Sequence, residues 1–330
     1  MARRFQQGRL GRVTRGVVLL SLLLLSAQGV GAGEEGSTDL TTAVDQAIPE
    51  GAGVTLTVMT YNIHHGQGRD GKFDLERIAS VIEQAGADLV GLQEVDENWA
   101  ARSQFLEEAS WLAKRLGMQY VFAPALKRPS LLGAEAGYGN ALLSRYPIVP
   151  GSTEILLLPK QGTREDRVLL RAEVQVGTEC WQVAVTHLGL SRSERVDHVR
   201  QILARLQSFR GPTILMGDWN DRPDSPEVSL VTTQLQDVAA VAQAQDGDPR
   251  PTFAYDSPDG RPNMRIDYIF ASAALQVRRV WTIDSVGSDH LPLVAQLQAV
   301  SAALLTLSGS AATASEPAAT GQAGSLAVGS

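Results

Sequence analysis

Cysteine is nearly missing from this 330-residue chain, where Cys180 is the only one. An intrachain disulfide is excluded, and so is a zinc site built from several thiolates. Cys180 sits in a strand-like segment and reads as a buried, inert thiol. Aromatic residues make up only 5%. The sequence contains no G-x-S-x-G elbow, no phosphate-loop lysine motif and no H-E-x-x-H pair. The usual signatures of serine hydrolases, P-loop NTPases and zinc peptidases are therefore absent. The apolar run over residues 16–27 is short for a membrane span, which takes about 20 residues.

That run has a different reading. Arg3, Arg4, Arg9, Arg12 and Arg15 precede or open it, and small residues ending at Ala32 follow it. A basic start, a short apolar stretch and a small-residue exit describe an export signal with cleavage near Ala32. A secreted or periplasmic protein is expected. Removing residues 1–32, with five Arg and no acidic residue, takes the formal charge from −7 to −12. So acidic a chain has no global electrostatic reason to seek nucleic acid, although a local basic groove stays open.

Residues 33–51 are small and polar and read as a flexible lead; residues 300–330 are rich in Ala, Ser, Gly and Thr and read as a disordered tail. Between them one domain is expected over 52–299, with no fixed-period repeat. Within it, strand-like alternation recurs from "VTLTVMTYNI" to "LPLVAQL". Helical spacing appears in "DLERIASVIEQAGA", with Asp74 as N-cap, in "SQFLEEASWLAKRLG", stopped by Gly117, and in "SERVDHVRQILARLQSF". Strands joined mostly by hairpins with helices between them predict two packed sheets flanked by helices.

Polar residues end or interrupt these apolar runs: Asn62, Glu94, Asn140, His187, Asp218, Asn220, Asp267, Asp289 and His290. Singly, each serves as a cap, turn residue or satisfied buried group. Their recurrence at strand ends fits a site assembled on a rigid sheet scaffold. Glu94 and Asp289, with the Asn62 amide oxygen, are hard oxygen donors that suit Mg²⁺, Mn²⁺ or Ca²⁺. Such a metal with two histidines and further carboxylates suits hydrolysis at phosphorus by activated water.

The motifs "TYNIHHG", "GLQEV", "YGNALLSRYPI", "THLG", "GDWND", "RIDYIF" and "SDHLPLVA" occur in this order between about Thr55 and Leu297. In that order they resemble the endonuclease/exonuclease/phosphatase superfamily, which includes pancreatic-type deoxyribonucleases and neutral sphingomyelinases. The resemblance implies a four-layer α/β-β/α sandwich and a Mg²⁺ cofactor, or Mn²⁺. It implies a metal site of Glu94, Asn62 and Asp289. It implies that Asp267 orients His290, which acts as base or as its electrostatic equivalent, that Asp218 and Asn220 position water and phosphate, and that His187 contacts the phosphate with Asn140 in support. The water's proton goes to Asp218 or His290; resemblance does not decide between them.

His64 and His65 follow the first strand close to the metal side, yet they are not expected to be ligands, since adjacent strand residues point to opposite faces. His198 is expected at the surface. Of Arg164, Arg167 and Arg171, one is a candidate for phosphate binding. The loop carrying Lys127 and Arg128 is expected to shape specificity. The substrate class stays open among a lipid head group, a small phosphoester and nucleic acid, the last implying an extracellular endonuclease. A catalytically silent binding module would lack Glu94, Asp218 or His290, and all three are present. No segment marks a protein partner, and a monomer is expected.

Overall fold

Twelve strands and five α-helices alternate in the computed structural model, which describes residues 53–129, 133, 135–161 and 165–300. The export signal, the lead before residue 53, the tail from 301, Arg164 and the "SLL" of the expected specificity loop lie outside the described residues. Two six-stranded sheets form. The first takes β1 (Thr55–Asn62), β2 (Leu89–Glu97), β3 (Gln119–Pro129), β4 (Glu135–Ser144), β11 (Leu275–Thr282) and β12 (Leu293–Ala299), in the order β11-β12-β1-β2-β4-β3. The second takes β5 (Glu154–Leu158), β6 (Arg167–Val176), β7 (Glu179–His187), β8 (Thr213–Asp218), β9 (Gln236–Asp237) and β10 (Asp267–Ala271), in the order β5-β6-β7-β8-β10-β9.

Alternation along β1 sets the layers. Leu56 and Val58 join the core between the sheets, while Met59 and Tyr61 point the other way onto the helices α1 (Leu75–Ala85) and α2 (Glu108–Leu116). The second sheet does the same with α3 (Arg192–Leu206) and α4 (Pro226–Thr232), through Leu169, Ala184 and Leu215. Each large side chain buried this way contributes roughly 1.5–3 kcal/mol, so three apolar layers hold four layers of structure together. The α/β-β/α sandwich is the architecture observed. The remaining helix, α5 (Val238–Asp246), packs its Val238 and Ala239 into the inter-sheet core.

Local signals act where expected. Asp74 accepts hydrogen bonds from the N–H groups of Glu76 and Arg77 and starts α1; Gly117 closes α2 in the left-handed conformation. Three expectations need correction. The "LKRPS" loop is mostly strand: β3 and β4 pair through Lys127 and Arg128, and Lys127 forms an ion pair with Glu135 at 2.8 Å. Its prolines are tolerated because β3 is an edge strand. His198 is buried, since it repeats Glu194 at four residues and Ile202 at four more on the inner face of α3. Cys180 is only half-buried, at the turn end of β7, where its Sγ donates to Gln175 Oε1.

The topology collects strand ends. β1 and β2 are parallel and joined through α1; β7 and β8 are parallel and joined through α3. Both crossovers bring two C-terminal strand ends together in their sheet. Close approach of β7 and β8 needs Gly217, whose φ is +154° and where a Cβ would lie 1.9 Å from the Thr186 carbonyl oxygen. The next residue is Asp218.

Candidate active site

One row of three residues crosses the second sheet at its C-terminal edge. His187 on β7 is in register with Asp218 on β8, and Asp218 with Asp267 on β10. His290, from the loop before β12, completes the row: its Nδ1 lies 2.8 Å from Asp267 Oδ2 and its Nε2 3.7 Å from Asp218 Oδ2. All four side chains are buried. The Phe253 ring packs on His290 with centroids 4.8 Å apart and helps exclude water.

The first sheet supplies the opposing half. Asn62 ends β1, and Glu94 lies in a bulge of β2 where Gln93 and Glu94 oppose Asn140 alone. The bulge puts Glu94 at φ +58°. Asn62 joins the halves. Its Nδ2 donates to Glu94 Oε1 at 3.1 Å and to Asp218 Oδ2 at 3.0 Å. Its Oδ1 accepts from the His64 N–H at 3.0 Å. The amide oxygen expected at the metal accepts one backbone hydrogen bond, while the amide nitrogen spans the two carboxylates. Asp289 is 42% exposed, with Oδ1 3.7 Å from His64 Nδ1. Ser288 ties this loop down by donating to the Asn62 carbonyl.

Asn220 follows Asp218 in a left-handed conformation, φ +52°, and its N–H donates to Asp218 Oδ1. Its Nδ2 donates to the Leu188 carbonyl and lies 3.0 Å from His187 Nε2. Asn140 is on strand β4 and not in a turn. It donates to the Val168 carbonyl of β6 and so ties the two sheets together beside the cluster, with no hydrogen bond to it among the described residues. Arg167 is the arginine that the structure brings to the site: buried, with Nη1 3.5 Å from His187 Nδ1 and Nε without a partner. Arg171 turns to Glu154 and Glu173 instead.

Charge in the row is set by burial against neighbours. Burial works against a charged His290, but Asp267 and Asp218 outweigh it and its pKa is pushed up to about 10. A raised pKa suits the electrostatic role among the two expected for His290. Burial raises the Asp218 carboxyl above its ordinary range, opposed by His290. Burial, then Arg167 and His290, hold His187 well below its ordinary value, so it is neutral.

His64 and His65 were expected after the first strand and close to the metal side, but not as ligands. They form a 3-10 turn after β1, and with Glu94 they make one of two groups of metal-ligating side chains among the described residues. The other is Asp218, Asp267 and His290.

The profile of the Endonuclease/Exonuclease/phosphatase family matches residues 59–290. The chain belongs to that family. Its members hydrolyse phosphoesters with the help of a metal. The Escherichia coli K12 protein called "Uncharacterized protein YbhP" is 28% identical over 266 residues, covering 74% of this chain and 96% of its own. An endonuclease/exonuclease/phosphatase from Beutenbergia cavernae is 29% identical with a TM-score of 0.61, covering 74% and 72%. The Bacteroides thetaiotaomicron mannosyl-6-phosphatase Bt3783 shares the fold at 19% identity and a TM-score of 0.56, covering 73% and 99%.

The source of the His290 charge is open to direct measurement. Asp267→Asn removes the largest favourable neighbour, so the His290 imidazole, followed by NMR titration, should titrate well below its wild-type pH. An unchanged titration would show that Asp267 does not hold the proton.

Proposed function

We propose that the chain is an exported, Mg²⁺- or Mn²⁺-dependent phosphoesterase that hydrolyses a phosphodiester or phosphomonoester by in-line attack of water. The observation that carries this reading is the Asn62 amide shared between Glu94 and Asp218, which sets an acidic, partly exposed half against a buried half holding an imidazolium. Glu94 and Asp289 fit a hard divalent cation: both are oxygen donors near the mouth, and neither forms an ion pair with Lys or Arg among the described residues. When bound, the metal polarises a phosphoryl oxygen and offsets developing charge.

The protein's own residues do the rest. Water held against Asp218 Oδ2 gives its proton to that carboxylate, whose raised pKa matches the task. Asn62 and the Asn220 N–H fix the acceptor by hydrogen bonds to both of its oxygens. The His290 imidazolium, locked by Asp267, stabilises charge growing on the phosphoryl oxygens. Arg167 and the Asn220 amide add donors on the other side of the row. Neutral His187 donates or accepts a hydrogen bond without carrying charge.

The Bacteroides neighbour is a mannosyl-6-phosphatase, which keeps monoesters in view. The acidic charge of the chain favours a lipid head group or small phosphoester over nucleic acid.

The test is a hydrolysis screen with Mg²⁺ on bis-p-nitrophenyl phosphate, p-nitrophenyl phosphate, sphingomyelin and plasmid DNA. Turnover should vanish in EDTA, and Glu94→Gln should lower kcat/KM by roughly 10²–10³, as for loss of one charge-stabilising group. The rate should rise as Asp218 ionises, above the usual carboxylate range near about 4, and fall in alkali as His290 deprotonates. Full activity in excess chelator would contradict the metal assignment. Export is tested separately: mass spectrometry of the functional protein should find a terminus near Gly33, and an intact Met1 would contradict cleavage.

A further inference from the structure

The turn after β1 holds an arrangement that the phosphoesterase chemistry does not use. His64 and His65 both adopt left-handed backbone conformations, φ +45° and +44°, as does Glu94 at +58°. Non-glycine residues enter this region only a few per cent of the time, and such conformations cluster at functional sites. Here three fall on side chains that meet. The two imidazole rings are edge to face with centroids 4.3 Å apart. One ligand atom from each of His64, His65 and Glu94 lies within 4.8 Å of the others.

The hydrogen bonding of His65 points to a missing partner. The residue is only 5% exposed. Its Nε2 lies 3.2 Å from Gln67 Oε1, an acceptor, so Nε2 carries the proton and Nδ1 keeps its lone pair. That Nδ1 is buried with no hydrogen-bond partner. A buried lone pair without a donor is costly, and one imidazole N–H fixed on a carbonyl oxygen is the common arrangement of a metal-bound histidine. Burial, then Arg102, lowers the pKa of His65 and keeps it in the neutral, ligating form. His64 Nδ1 is likewise buried without a hydrogen-bond partner, and it faces Asp289 Oδ1 at 3.7 Å.

We infer that His64 and His65 join Glu94 in coordinating a divalent transition metal, so that the metal site is a mixed nitrogen–oxygen site and not the all-oxygen site that suits Mg²⁺. This rests on the reading above only through Glu94. Donors on one tetrahedral ion sit about 3.4 Å apart for bonds near 2.1 Å. Closing from 4.8 Å takes up to about 1.4 Å of side-chain movement, which half-exposed His64 can supply. Imidazole donors favour Mn²⁺, Co²⁺ and Zn²⁺ increasingly over Mg²⁺. Three protein donors leave coordination positions for water and a phosphoryl oxygen.

The probe is Mn²⁺ alone, added to the purified protein. Pulsed electron paramagnetic resonance should show ¹⁴N coupling from directly bound imidazole in the wild type. His64→Asn and His65→Asn, chosen because Asn tolerates the left-handed backbone, should each remove part of that coupling. Each should also weaken Mn²⁺ binding at least about tenfold, and Gln67→Ala about tenfold by freeing the His65 ring. Mn²⁺ bound without nitrogen coupling, together with Mg²⁺-dependent hydrolysis, would overturn this inference and leave the phosphoesterase reading intact. Nitrogen coupling in a protein that hydrolyses no phosphoester would support it and count against that reading. Unchanged Mn²⁺ affinity in Glu94→Gln would overturn both. If a histidine variant fails to fold, the wild-type spectrum decides alone.

Discussion

The contact on which the site depends is the side-chain amide of Asn62, held between Glu94 of the first sheet and Asp218 of the second. Two carboxylates brought this close repel each other unless a donor stands between them, and one NH₂ group with two hydrogens serves both. The amide is held in turn, because its oxygen accepts from the His64 backbone and Ser288 grips the Asn62 carbonyl. Sheet packing, the turn after β1 and the loop before β12 therefore converge on one side chain. The inter-sheet core sets the separation of the two halves, and Asn140 adds a second strut from β4 to β6.

Burial then fixes the charges. Asp218 and Asp267 are withdrawn from water on neighbouring strands, and an isolated pair of buried carboxylates would be costly. His290 lies between them and takes up a proton that an ordinary histidine would release. In the proposed mechanism Asp218 accepts the proton, and His290 stabilises charge at phosphorus. The division resembles other pairs of titratable groups whose surroundings push them into different roles. Neutral His187 beside Arg167 completes a row in which positive charge stands on both flanks of the acceptor.

Much of this was legible in the chain. Alternation in Thr55–Asn62 and the polar residues closing the apolar runs located the strand ends, and the ordered motifs implied which ends meet. What stayed hidden depends on partners distant in sequence. The bulge that turns Glu94 exists only in the pairing of β2 with β4. The bridge made by Asn62 was hidden because its nitrogen meets a carboxylate 156 residues away. The protonation of His290 follows from two carboxylates on separate strands. His198 was misplaced by judging residue type before helical face. His64 and His65 were set aside as ligands by a strand-geometry argument that does not apply to the 3-10 turn they form.

The central claim is that Asn62 couples Glu94 and Asp218 into one catalytic unit. A double-mutant cycle measures it directly, with Asn62→Ala, Asp218→Asn and the pair compared in kcat/KM against a phosphoester substrate. Residues that act as a unit are strongly non-additive, so the double variant should be little worse than Asp218→Asn alone. Two losses that simply add would show that Asn62 and Asp218 work independently and that the amide bridge is only packing.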